Sequence, residues 1–187
     1  MNNCFQKLDI KFNPKKLRQE TNALFTKVSW RHHTVKGLCL TQIPGDPASA
    51  YGEKLRGVFW TKPDFTGKEV QREEYVDESQ YTEFVEKYKG TYFEEIYNIL
   101  SKKYKLGRVR LLLLEPRTSL SWHRDPEPRL HLPIITNQGA HLVIDDSLKH
   151  LPADGHVWFT DTRNYHTVFN GGEENRIHLV ATYLGER

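Results

Sequence analysis

Everything after Gly107 is written in short strand-length runs: RVRLLLLE, RLHLPIIT, AHLVID, GHVWFTD, YHTVFN and NRIHLVATYL. Turn-forming groups separate them, namely Pro-Arg-Thr-Ser, Asn-Gln-Gly, Pro-Ala-Asp-Gly and Asn-Gly-Gly. Strands this short and this closely spaced indicate an all-β sandwich or barrel.

The first half reads differently. Asn13-Pro14 predicts a helix start, with Asn as the cap and Pro at the first helical position, and the helix runs to about Phe25. Lys27 to Gln42 (KVSWRHHTVKGLCLTQ) reads as β structure, with Gly37 marking a bulge or a turn. IPGDPASAYGEKLRG carries three Gly and two Pro and reads as a loop, one that could close as a lid. Glu78 to Lys105 is the most helical stretch. Phe84, Val85, Tyr88, Tyr92, Phe93, Ile96, Ile99 and Leu100 recur there at three- and four-residue steps, and Gly90 divides it. The expected organisation is a single domain over 1–187: helices and supporting strands in 1–106, and a β-rich part in 107–187 that carries the chemistry.

Bulk properties exclude several classes. The formal net charge is +3, too small to argue for a nucleic-acid partner. Two cysteines, Cys4 and Cys39, form neither a CxxC pair nor a disulfide framework. MNNCFQKLDIKFNPKK lacks the apolar core of a signal peptide, and no apolar run approaches the ~20 residues a membrane span needs. The chain reads as cytoplasmic, with no membrane partner.

Within the β-rich half, SWHRDPEPRLHLPIITN combines strand-forming residues with charge that a buried strand does not take unless something pairs with it. His123 and Asp125 lie two apart, so in an extended segment an imidazole and a carboxylate share a face and can converge on one ion. His166, in NYHTVFN, is the candidate third ligand. Two His and one carboxylate on one face of an iron leave the other positions open, as non-haem Fe(II) oxygenases require. His141, His150, His156 and His178 are other possible thirds, but His150 lies in a turn-like stretch and His156 at a strand start. His32 and His33 are neighbours that would face opposite ways. Ten positions after His166, Arg176 in NRIHLV is a strand arginine whose planar fork suits a carboxylate, either of a protein side chain or of a dicarboxylate ligand.

These pieces resemble a known family. WHRD, RLHLPIITN, HLPADGHVWFTDTRNYHTVFNGG and RIHLV, between about Arg110 and Gly185, look like the aspartyl/asparaginyl β-hydroxylase branch of the 2-oxoglutarate/Fe(II)-dependent oxygenases. They come in the family's order and at close to its spacing, whereas the first hundred residues show negligible resemblance. The resemblance implies a mainly β (α+β) fold, a double-stranded β-helix (a cupin-like jelly roll) with flanking N-terminal helices. It implies His123, Asp125 and His166 as ligands to Fe(II), and Arg176 on the far carboxylate of 2-oxoglutarate. Arg129 and His131 match the family's R-x-H strand, where similar residues contact the co-substrate; read from the residues alone they could equally be a structural ion pair and a core histidine. Some members lack the carboxylate ligand, which Asp125 supplies here. A serine that contacts the co-substrate in some relatives has no counterpart in RLLLLEPRTS.

The implied reaction consumes 2-oxoglutarate and O2, hydroxylates an unactivated C–H and leaves succinate and CO2. Its substrate would be an amino acid or a peptidyl residue of the Asp, Asn or Pro type. Arg117, Arg124 and Arg163 stand where a substrate carboxylate could be met, or are solvated loop charges. Trp30, Trp60, Trp122 and Trp158 are core residues by default, with Trp122 able to wall the substrate side. Two competing classes are a cupin-like module that binds a metal or acidic ligand without oxidising anything, and a metal-dependent isomerase or lyase that consumes no oxygen.

Overall fold

The computed structural model describes residues 4–27, 35–51 and 59–185. The chain opens with strand β1 (Phe5–Lys11), helix α1 (Pro14–Lys27), β2 (Val35–Cys39) and β3 (Thr41–Gln42). A short hairpin, β4 (Thr61–Pro63) and β5 (Glu69–Gln71), precedes β6 (Glu83–Phe84) and helix α2 (Tyr92–Lys103). Eight strands follow: β7 (Leu106–Leu114), β8 (Thr118–Ser119), β9 (Arg129–Ile135), β10 (Ala140–Ile144), β11 (Ser147–Lys149), β12 (His156–Thr160), β13 (His166–Asn170) and β14 (Arg176–Tyr183).

Two antiparallel sheets carry the fold. The larger has the order β1-β12-β9-β14-β7-β2, and the smaller β11-β10-β13-β8. Apolar side chains from both, including Leu114 and Trp158 from the larger and Leu142, Ile144 and Val168 from the smaller, fill the space between them. The result is the mainly β jelly roll with two helices that the family resemblance implies.

The outer face of the large sheet is also covered. Leu111 of β7, Leu130 and Leu132 of β9, and Leu179 and Ala181 of β14 pack in one core with Leu17 of α1 and Phe93, Ile96 and Leu100 of α2. This explains why β7, β9 and β14 are buried along almost their whole length. By the two-residue period of a strand, Arg129 and His131, and Arg176, His178 and Thr182, then face inward toward the second sheet. Two buried faces, one apolar and one polar, account for charge in strands that are otherwise apolar.

α1 begins as expected: Asn13 Oδ1 accepts from the backbone N–H groups of Lys15 and Lys16, and Pro14 leads the helix. The first half otherwise departs from its sequence reading in four places. Phe5–Lys11 is a strand, zipped antiparallel to β12, where no strand was expected; its cross-strand partner lies far along the chain, so its own pattern carries little signal. The helical stretch from Glu78 reduces to Tyr92–Lys103. Gly90 turns the chain with φ +76, Glu83–Phe84 pairs with β3, and Glu78–Gln80 and Glu86–Tyr88 are single 3-10 turns. α1 takes Lys27, and Gly37 keeps a regular register in β2 opposite Leu112 instead of making a bulge or turn. The Pro- and Gly-rich loop holds a 3-10 turn at Pro47–Ala50 that buries Ser49 and Ala50. Residues 52–57 of that loop, and His32, His33 and Trp30, lie outside the described residues. Of the other tryptophans Trp158 is core, but Trp122 is 55% exposed beside His123.

Candidate metal centre

His166 starts β13, and His123 lies across from it in an isolated antiparallel bridge, each residue's N–H donating to the other's carbonyl (3.0 and 2.9 Å). That pairing puts the two imidazoles on the same side, with ring centroids 4.1 Å apart. Asp125 follows in the extended run, its N–H donating to Thr162 O at 2.9 Å. One ligand atom from each of His123, Asp125 and His166 falls within 4.8 Å of the others, the one such group among the described residues. Asp125 Oδ2 is 3.6 Å from His166 Nε2.

Both imidazoles are oriented from behind. His123 Nδ1 lies 2.7 Å from Ser121 O, and His166 Nδ1 lies 3.1 Å from Asn164 O. A carbonyl can only accept, so each Nδ1 carries the proton and each Nε2 offers a lone pair, the arrangement metal-bound histidines use. Burial holds His166 neutral, pulling its pKa down to about 4 despite the attraction of Asp125. The donor set fits a divalent first-row metal with open positions.

Deeper between the sheets lies a second polar group. Arg176 is buried, and among the described residues no carboxylate pairs with it. Its Nη2 donates to His178 Nδ1 at 2.9 Å, and burial alone lowers its pKa to about 9. His178 Nδ1 lies 3.4 Å from His131 Nδ1, on the diagonal across the β9–β14 pair, where His178 faces Pro133 and His131 faces Val180. Arg176 can only donate, so His178 carries its proton on Nε2, which is buried without a partner. Burial, then the positive charge of Arg176, keeps His131 and His178 neutral, and His166 and Arg129 also act on His131. A buried guanidinium beside an unpaired N–H is a costly arrangement that an anionic ligand would relieve.

Arg129 is differently placed. It reaches Asp125, Glu78 and Glu127 at 3.3, 3.0 and 3.4 Å. Burial disfavours its charge, but the three carboxylates more than offset this and raise its pKa.

The model of the aspartyl/asparaginyl β-hydroxylase family matches residues 13–184. The chain belongs to this family. The match starts in the first helix, so the resemblance is not confined to the C-terminal half. Membership makes the chain a 2-oxoglutarate/Fe(II)-dependent oxygenase of the hydroxylase type. No curated protein matches the sequence significantly.

Among solved structures, similar folds occur in a 2OG-Fe(II) oxygenase-family oxidoreductase from Burkholderia pseudomallei (TM-score 0.56, 14% identity, 97% of this chain and 84% of that one). A viral collagen prolyl hydroxylase from Paramecium bursaria Chlorella virus-1, solved with 2OG, gives TM-score 0.55 at 12% identity, covering 100% and 98%. A Trichoplax adhaerens prolyl hydroxylase, solved with a peptide of hypoxia inducible factor, gives 0.52 at 11%, covering 97% and 84%. At these identities the likeness is one of fold.

Around His123, Asp125 and His166 the surface is aromatic. Phe59 stacks on His123 (4.4 Å, interplanar 22°), and Trp122 and Tyr165 are exposed. Arg124 sits over Trp60 and Tyr165 and pairs with Glu69 at 3.1 Å, which ties the β4–β5 hairpin to the site. Arg117 and Arg163 are likewise paired, with Glu173 and Asp161.

Two residues take places that sequence reasoning missed: His178, named there only as a possible third metal ligand, and Glu78. His178 was findable: the two-residue rule that joins His123 to Asp125 also joins Arg176 to His178. Glu78 was not, because it lies in a stretch with helix-like periodicity and no motif. Among the described residues no helix is long and apolar enough to cross a membrane.

Proposed function

We propose that His123, Asp125 and His166 hold Fe(II), that Arg176 receives the far carboxylate of 2-oxoglutarate with His131 beside it, and that the enzyme hydroxylates an unactivated C–H of an amino acid or peptidyl residue of the Asp, Asn or Pro type. The supporting observation is the three-residue group within 4.8 Å whose two imidazoles have their Nδ1 atoms already engaged. The family membership and the prolyl hydroxylase folds support hydroxylation. We further propose one domain over 1–187, because β1 and β2 form the edges of the sheet whose centre is β9 and β14.

Bound iron, with 2-oxoglutarate and O2, supplies the oxidation and yields succinate and CO2. The protein's part is orientation. Ser121 O and Asn164 O keep the ring protons of His123 and His166 on Nδ1, so both Nε2 atoms point lone pairs at one place. Arg176 offers a fixed positive charge in a dry interior, where a carboxylate gains most from it. His178 turns its Nδ1 to Arg176, steadying the guanidinium, and keeps its Nε2 proton available to an acceptor.

The test is succinate release from purified protein given Fe(II), 2-oxoglutarate and O2, over a panel of free amino acids, proline and short Asp- and Asn-containing peptides. Stimulation by one class, absent in H166A, identifies the substrate. Metal binding without succinate or oxygen uptake would instead make the protein a binding module.

A further inference from the structure

Asp125 needs external support. It precedes Pro126, and its backbone is fixed by one bond to Thr162 O, which leaves the carboxylate to be aimed by whatever grips it. That grip is Arg129. Nε is 3.3 Å from Asp125 Oδ2, Nη2 is 3.0 Å from Glu78 Oε2, and Nη1 is 3.4 Å from Glu127 Oε2 and 3.1 Å from Glu127 O. Every nitrogen of the fork is engaged.

Glu78 is itself buried and saturated. Oε1 meets Arg110 Nη2 at 2.8 Å and Arg108 Nη1 at 3.4 Å, and Oε2 also accepts from Thr182 Oγ1 at 2.7 Å. Three guanidiniums (Arg108, Arg110, Arg129) stand against three carboxylates (Glu78, Asp125, Glu127), so the cluster is formally neutral. A further anion at Arg129 would have to displace one of its partners, whereas Arg176 has no carboxylate partner among the described residues.

We infer that Arg129 is a positioning residue for the carboxylate ligand Asp125, with Glu78 locking Arg129 in place, and is not a contact of the co-substrate. The inference rests on the metal site proposed above. Its physical content is a relay: Glu78 fixes the guanidinium plane, the plane fixes Asp125, and Asp125 completes the donor set. Groups that orient metal ligands in this way commonly account for ~10–100-fold in metal affinity.

The experiment measures two affinities on the full chain, Mn(II) by titration of the free-ion EPR signal and 2-oxoglutarate by anaerobic titration of the Fe(II)-loaded protein. R129Q and E78Q should each raise the Mn(II) Kd ~10–100-fold while the 2-oxoglutarate Kd at saturating metal holds. R129K, which keeps the charge but cannot span three carboxylates, should fall between wild type and R129Q, and it carries the test if R129Q does not fold. Loss of 2-oxoglutarate affinity with metal affinity intact would make Arg129 a co-substrate contact and overturn the inference. So would an equal loss of both affinities, the mark of a general fold defect, or folded R129K and E78Q with wild-type metal affinity. Wild type failing to bind Mn(II), or H166A binding as tightly as wild type, would remove the metal site and the inference together.

Discussion

His123 and His166 form an antiparallel pair in which each backbone N–H donates to the other's carbonyl, and this pair holds the imidazoles 4.1 Å apart. The backbone sets the geometry before any metal enters. Replacing either side chain therefore removes a ligand while leaving the backbone bridge in place. H123A and H166A should fold as wild type does by circular dichroism and lose Fe(II) binding in an anaerobic titration. Retained binding in both would exclude this pair as ligands.

Arg176 is buried with no carboxylate partner among the described residues, and its pKa is pulled to about 9, still well above neutral. R176A should weaken 2-oxoglutarate binding by roughly 10–100-fold, the worth of a charge-assisted hydrogen bond. Metal affinity should stay. Saturation with 2-oxoglutarate should restore most of the turnover, read as a KM effect with a smaller change in kcat.

Glu78 is a buried ionised group whose charge bears on stability. Burial pushes its pKa up, but Arg110, Arg129 and Arg108, with the Thr182 hydroxyl, bring it from 4.5 down to about 2. A depressed carboxylate contributes stability that is full above pH 4.5 and is lost as pH falls toward 2. E78Q, which leaves buried guanidiniums uncompensated, should cost ~3–5 kcal/mol at neutral pH. In urea unfolding it should also flatten the decline of stability below pH 4.5.

His178 contributes with the opposite charge type. Burial, then Arg176, hold its pKa well below 6.5, so the unfolded state takes up a proton before the folded state does. Stability from this group is full above pH 6.5 and falls as the pH drops below it. H178Q should lessen the loss of stability between pH 6.5 and 5. An unchanged slope would mean that the ring takes up its proton over the same pH range in the folded and the unfolded protein.

Gly107 marks where the 3-10 turn carrying Glu78 crosses β7. A Cβ there would lie 2.4 Å from Glu78 O. G107A must push the turn away, so it should destabilise the fold by ~1–3 kcal/mol and loosen metal binding in the same direction as E78Q, as a thermal midpoint and a Mn(II) titration would report.

The features legible from the residues alone are those whose rule is local. Alternation and turn residues specify the short strands from β7 onward, Asn13-Pro14 specifies the start of α1, and the two-residue spacing of His123 and Asp125 puts two donors on one face. The ordered run of His123, Asp125, His166 and Arg176 pointed to the family that the match over 13–184 shows. Features that depend on partners distant along the chain emerge only on folding. β1 is a strand because β12 offers it an edge, and the residues from Glu78 do not form one long helix because three arginines on β7 and β9 hold Glu78 in a tight turn. Arg129 faces three carboxylates for the same reason. Local periodicity records which face of an element is apolar, but the pairing of buried charges is set by which strands become neighbours, and that information exists only once the sheet has formed.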